Sequence, residues 1–327
     1  GLFHRVPNLI RPVRPLSDWL AYRQLKRAFA SFRPDIVHTH SGKAGFIGRL
    51  AAKRAGVPKI IHSIHGPSFG PFQGWATNAL FCGAERFAGR MTDHFVTVAD
   101  AMRDQYLAAG ISQADDYTRI PSGFDLQPFL DAENSPTKRA SLGLSPGDFV
   151  VGKIARLFEL KGHDDLFAIA PRLAKRIPNI RFLLVGDGVW RGRFERLAKE
   201  IGCDQNFIFT GLVPPTEIPS LVGVMDALVH LSRREGLPRA LPQAMAAAKP
   251  VVAFDCDGAG EVCLDGKTGH LIEPGDMAKL EERLAKLAGD APLRTALGQA
   301  GRKLVEEEFT VEQLVERQYE LYKRLLA

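Results

Sequence analysis

Short apolar runs alternate with amphipathic stretches along nearly the whole of this 327-residue chain, and that alternation limits its fold more than any other feature. The runs have strand length, and the stretches between them carry apolar residues at helical spacing. Repeated strand–helix–strand units need long crossovers, so they build parallel sheets with helices on their faces. In the first half the pattern predicts helices over 16–32, 43–55 and 75–88, strands over 35–39, 59–64 and 94–98, and a helix beginning near Asp100, whose side chain is placed to cap it. Pro121 to Asp125 breaks the pattern and reads as a hinge. A second series opens at 149–155, with strands near 181–185, 207–209, 227–231 and 251–254 and helices over 277–288, 292–309 and 310–326. Two such series give two sheets whose C-terminal edges can face each other, and ligands bind at such edges.

Composition removes several classes. Hydrophobic content of 45% and charged content of 24% are globular values. No run approaches 18 apolar residues and no signal-peptide core is visible, so a cytoplasmic protein is expected. Cys82, Cys203, Cys256 and Cys263 are scattered, which suits reduced thiols better than a disulfide framework. The net charge of +6 is uneven: residues 1–60 hold twelve Lys and Arg against two Asp and Glu. Such a cluster attracts anionic lipid or a polyprenyl-diphosphate, and it predicts peripheral contact with the inner face of a membrane. Nucleic acid is not expected, because no aromatic interleaving accompanies the charge.

Two segments carry chemistry. In Ser232 to Val252 (SRREGLPRALPQAMAAAKPVV) an apolar run ends in polar residues, a glutamate, a glycine and a proline, followed by an alanine-rich helical stretch. Pro238 suits the first turn of that helix, and Leu241, Ala244, Met245 and Ala248 recur on one face of it. Helix-start N–H groups beside Glu235 suit a ligand with both phosphates and hydroxyls, as in a sugar nucleotide. Gly152 to Leu166 (GKIARLFELKGHDDL) repeats the form, with Arg156 and Lys161 flanking the turn and Gly162 permitting close backbone approach. Paired cations at a strand end neutralise a diphosphate.

RLFELKG paired with EGLPRALPQAMAAAKPVV resembles the retaining glycosyltransferases of family 4. Further matches in the family's order are PDIVHTH at 34–40, IHG at 64–66, IPSGFD at 120–125, LVGDG at 184–188, FTG at 209–211 and GHLI at 269–272. The resemblance implies the α/β GT-B fold, two Rossmann-like parallel-sheet domains facing across a cleft. An N-terminal acceptor domain is expected over 1–122, a nucleotide-sugar domain over 123–309, and a helix over 310–327 returning to the first domain. It also implies that the first domain is incomplete at its N-terminus, since family members open with a strand and a glycine-rich loop ahead of the segment present here. One position departs from the family: its E-x7-E motif begins at Glu235 and ends on Gln243, which keeps a carbonyl acceptor and loses charge.

The implied reaction is metal-independent, cofactor-free transfer, with retention, from a nucleoside-diphosphate sugar donor to a glycan or polyprenyl-linked acceptor in polysaccharide biosynthesis. His65, Arg156, Lys161 and Glu235 are the catalytic candidates. Donor contacts are expected from Gly66, Gly186, Gly188, Gly211, Leu212, Gly236, Leu237, Gln243 and Glu261. His38 and His40 share a strand face and could join His62 or His65 around a metal, although packing is the favoured reading. Lys43, in the turn SGKAG, is a lesser candidate for an anion contact. A non-catalytic sugar-nucleotide-binding protein is the alternative, and a two-domain sugar-nucleotide epimerase is a weaker one.

Overall fold

Val, Ile, Leu and Phe crowd into the strand-length runs, and burial on both faces is what such uninterrupted runs demand. The computed structural model describes residues 3–70 and 72–327. It divides into two units, one of Gly1–Ser122 and Leu314–Ala327, the other of Gly123–Gln313. Each is a parallel α/β sheet of the Rossmann type.

In the first unit α1 (Pro15–Phe32) precedes β1 (Ile36–His40), α2 (Gly42–Ala55), β2 (Lys59–Ile64), α3 (Trp75–Gly89), β3 (His94–Thr97), α4 (Asp100–Ala108) and β4 (Tyr117–Arg119). The strands lie in the order β1-β2-β3-β4, all parallel. Asp100 does not cap α4: Ala99 is the cap, and the Asp100 carboxylate instead accepts from Arg103 at 2.7 Å, one turn along. Arg49 of α2 is fully buried and donates at 2.8 Å to Glu85 of α3, which is buried with it.

The second unit opens with α5 (Gln127–Leu130) and α6 (Pro136–Ser141), then β5 (Phe149–Ile154), α7 (His163–Arg176), β6 (Ile180–Val185), α8 (Arg191–Glu200), β7 (Phe207–Gly211), α9 (Ile218–Gly223) and β8 (Ala227–His230). It continues through α10 (Ala240–Ala246), β9 (Val251–Phe254), β10 (Gly269–Ile272), α11 (Met277–Gly289) and α12 (Ala291–Glu308). Strand order is β10-β9-β8-β5-β6-β7. One apolar layer, with Val150, Leu183, Leu228 and Val251, meets α10 and α12; the other, with Val151, Leu184, Val229 and Phe254, meets α7, α8 and α11. The last helix, α13 (Val311–Leu326), places Leu321 against Ile61, Val96 and Ile120 of the first sheet.

The Arg49–Glu85 pair makes a sharp test of burial. Glu85→Ala leaves a guanidinium without its partner and should cost about 3–5 kcal/mol in urea denaturation. The double variant Arg49→Met, Glu85→Leu should cost far less. Equal losses in both would show that shape, not charge, is what the pair supplies.

Candidate active site

The C-terminal edge of the second sheet brings Lys161 and Glu235 together through close backbone contacts. After β5 the chain loops back to α7, and Gly162 caps that helix with φ of 65°. A Cβ there would lie 1.8 Å from the Leu231 carbonyl oxygen, so only glycine lets the loop rest on the exit of β8. This seats Lys161 against Glu235: its Nζ contacts Oε1 of the carboxylate and lies 3.4 Å from Ser232 Oγ. Ser232, buried, reaches the same Oε1 at 3.1 Å and the carbonyls of Leu160 and Arg234 at 3.2 Å. From the other side Asp257 Oδ2 accepts the Glu235 backbone N–H at 2.7 Å, and the Gly258 N–H bonds the Gly236 carbonyl at 3.0 Å.

Pro238 is not in the first turn of the helix. α10 starts at Ala240 with Arg239 as its cap, so Gly236 to Arg239 separate Glu235 from the helix mouth. Those residues are tied to the turn at 257–261 instead, through the Gly258–Gly236 bond. Ala248 lies beyond the helix with φ of 53°, while Leu241, Ala244 and Met245 are buried as their spacing implied. Leu237 packs toward the apolar layer, and Gln243 is half-buried on α10.

Arg156 stands apart from the Lys161–Glu235 pair. It is exposed, its guanidinium lies 5.5 Å from the centre of the Phe158 ring, and it makes no hydrogen bond or ion pair among the described residues. Gly186 and Gly188 serve close packing, since a Cβ on either would meet the Ala155 or Leu157 carbonyl oxygen at 2.3 Å. They let the Arg156 loop lie on the exit of β6, where the Leu157 N–H donates to the Asp187 carbonyl at 3.0 Å. Gly211 accepts from the Gly186 N–H at 3.2 Å, and Leu212 beside it is exposed. Glu261 ends the short turn that begins at Asp257.

His65 and Gly66 follow β2 in the first unit. His65 Nε2 lies 2.9 Å from His40 Nδ1, and His40 stacks on His38 with ring centres 4.5 Å apart. His38 bonds Tyr322 at 2.6 Å and Ser63 at 2.7 Å. With Ser122 and Tyr319 they line a cavity of about 500 Å³. Burial first, then the neighbouring imidazoles, push His38 down to about 3, and burial also lowers His40 and His65, so all three are uncharged at neutral pH. His62 turns instead to Thr39 Oγ1 at 2.9 Å. Lys43 donates to the Ile10 and Pro12 carbonyls and pairs with Asp18.

Beneath the Lys161–Glu235 pair lie side chains that no sequence motif singles out. Lys153 of β5 is 2% exposed, and burial pushes its ammonium down to about 7, with Lys161 adding to the fall and Asp165 and Glu235 opposing it. His230 ends β8 with Nε2 3.8 Å from Glu235 Oε1 and no hydrogen bond to that nitrogen. His163 opens α7 with Nδ1 likewise unpaired. Burial, then Lys153 and Lys161, holds both imidazoles well below their ordinary range. A lysine inside the apolar run FVVGKI was the available signal for this layer, and the acid of CDGAGE was the signal for Asp257.

The chain belongs to the group 1 glycosyltransferases, whose family model matches residues 134–304, while a glycosyltransferase family 4 model matches residues 2–128. It is 26% identical, over 97% of its length and 82% of the relative's, to an Escherichia coli UDP-Gal:alpha-D-GlcNAc-diphosphoundecaprenol alpha-1,3-galactosyltransferase. It is 31% identical, over 77% of its length and 66% of the relative's, to a GDP-mannose-dependent alpha-(1-6)-phosphatidylinositol monomannoside mannosyltransferase of Mycolicibacterium smegmatis. Anabaena HepE, solved in complex with UDP-glucose, shares the fold with a TM-score of 0.82 at 23% identity, covering 95% of this chain and 84% of that one.

Lys153 gives the second unit a measurable pH signature. Between about 7 and the ordinary lysine value of 10.5 the unfolded chain binds the proton that the folded chain releases, so stability rises with pH across that window. The cost of burying the charge is complete below it. Lys153→Met should therefore be more stable than the parent near pH 7. The gap should close with rising pH by on the order of 1 kcal/mol per unit. Parallel stability profiles for the two proteins would refute the assignment.

Proposed function

We propose that this chain transfers a glycosyl group, with retention and without a bound metal, from a UDP- or GDP-linked sugar to a lipid-linked or polysaccharide acceptor. The observation that carries the donor reading is the Lys161–Glu235 pair at the exits of β5 and β8, with Arg156 uncommitted on the same loop as Lys161. Lys161 and Arg156 take the pyrophosphate and stabilise the charge that grows on it as the glycosidic bond breaks. Glu235 accepts from sugar hydroxyls and fixes the ring, and Gln243 takes the ribose. Gly211 and Leu212 lie beside the base, and Gly186, Gly188, Gly236, Leu237 and Glu261 shape the surrounding loops. His65, with Gly66, is the candidate for aligning the acceptor hydroxyl, as a neutral imidazole. The leaving oxygen receives the acceptor proton.

Lys161→Ala and Arg156→Ala should each lower kcat/KM by about 10²–10³ while the fold persists, with EDTA leaving the parent rate unchanged. Undiminished transfer in both variants would reject the phosphate role. Nucleotide-sugar binding without transfer or hydrolysis would favour the non-catalytic reading that Gln243 suggests.

A cytoplasmic protein touching the inner membrane face is the location this reading favours, and the helices of the first unit support it. Trp19, Leu16 and Leu20 of α1 are exposed, as are Trp75 (86%) and Leu80 of α3, and Arg23, Lys26 and Arg27 are exposed along α1. Apolar rings beside cations suit an anionic bilayer surface. No described helix is long and apolar enough to span one. Vesicles rich in phosphatidylglycerol should co-sediment the protein, and Trp19→Ser with Leu20→Ser should cut binding about tenfold. Equal binding to neutral phosphatidylcholine vesicles would remove the electrostatic part of the proposal.

A further inference from the structure

How His65 meets a hydroxyl depends on which of its ring nitrogens carries the hydrogen, and a neighbouring ring bears on that choice. β1 and β2 run parallel, with His38 beside Ile61 and His40 beside Ser63. Side chains two apart share a face, so His38 and His40 stand next to Ser63 and, just past the end of β2, His65. His40 Nδ1 lies 2.9 Å from His65 Nε2, and the two rings are within 21° of parallel with centres 5.2 Å apart. On its other side His40 stacks on His38, which Tyr322 of α13 and Ser63 hold at both ring nitrogens. His40 is thus backed by an anchored ring.

Two neutral imidazoles in contact can share their hydrogens in only two ways. Both rings are uncharged at neutral pH, so each carries one N–H. The 2.9 Å contact holds a single hydrogen, and the ring that does not supply it carries its own on its outer nitrogen. The outer nitrogens, His40 Nε2 and His65 Nδ1, are therefore one donor and one acceptor in either arrangement. Among the described residues no hydrogen bond reaches either of them. The reaction distinguishes the two. A hydroxyl whose proton leaves toward the departing oxygen must be met at its own oxygen by a donor, which requires hydrogen on His65 Nδ1.

We propose that His40 is a positioning residue for His65: it donates its Nδ1–H to His65 Nε2 and so holds His65 as the Nδ1–H tautomer, which donates to the acceptor hydroxyl oxygen. The proposal rests on the acceptor reading of His65 given above. The hydroxyl proton goes to the leaving oxygen, and each imidazole keeps its own hydrogen. The bond made by one ring nitrogen sets the state of the other, so His40 decides what His65 offers.

Asparagine and aspartate at position 40 separate this from packing. An asparagine amide offers an N–H where Nδ1 stands, while an aspartate of the same size offers only acceptors. At about pH 8.5, where His65 stays uncharged, nitrogen-15 spectra assigned with His65→Gln should show hydrogen on His65 Nδ1 in the parent and in His40→Asn. In His40→Asp the hydrogen should move to Nε2. Turnover is followed with UDP-glucose or GDP-mannose as donor and octyl glycosides as acceptors. His40→Asn should keep kcat within about fivefold of the parent, and His40→Asp should lower it by about 10²–10³. Donor Kd by calorimetry should move by less than about twofold in either. Hydrogen on His65 Nε2 in the parent, or equal rates in the two variants, would overturn the role of His40 and leave His65 standing. Full transfer by His65→Ala would remove the alignment reading itself, and this proposal with it. A parent that turns over neither donor would remove both together with the transferase reading.

Discussion

The contact of Gly162 with the Leu231 carbonyl governs the chemistry of the second unit. It presses the loop after β5 onto the exit of β8 at a distance no side chain permits, and Lys161 reaches Glu235 only because of it. The glycines of the neighbouring loop act alike, since Gly186 and Gly188 carry the Ala155 to Leu157 backbone. Three strand exits are thereby joined main chain to main chain. Charged groups borne on such a support lose little further freedom when a ligand arrives, which is the advantage of a preorganised site.

The charges themselves form two tiers. Lys161, Glu235 and Arg156 lie in the upper one, partly open to water. Lys153, His163 and His230 lie below, where solvation is poor and neutral forms are favoured. Asp257 steadies the upper tier from behind by accepting the Glu235 N–H. The first unit shows the same preference for neutrality, with three lowered imidazoles around one cavity.

Much of this was legible in the sequence because two periodicities, two residues for strands and 3.6 for helices, mark buried faces directly. The strands near 36–40, 59–64, 149–154 and 251–254 follow from that, as do Lys161 and Glu235 at strand exits. The start of α10 was less visible. Pro238 is compatible with a first turn, and only the long-range bond from Gly258 to Gly236 shows why the helix starts later. Asp100 misled for a local reason, because capping competes with an ion pair to Arg103. The lower tier of Lys153, His163 and His230 comes from three separate segments, and no spacing rule joins residues that meet only through the crossover of β5 and β8.

The seat of Leu321 against Ile61, Val96 and Ile120 bears on how the chain is made. Those strands leave the ribosome roughly 200 residues before the helix that covers them, a wait of roughly 10–40 s at ordinary elongation rates. Through that interval the aliphatic patch that Leu321 covers has no helix over it, so the core of the first unit is completed only once α13 has been made.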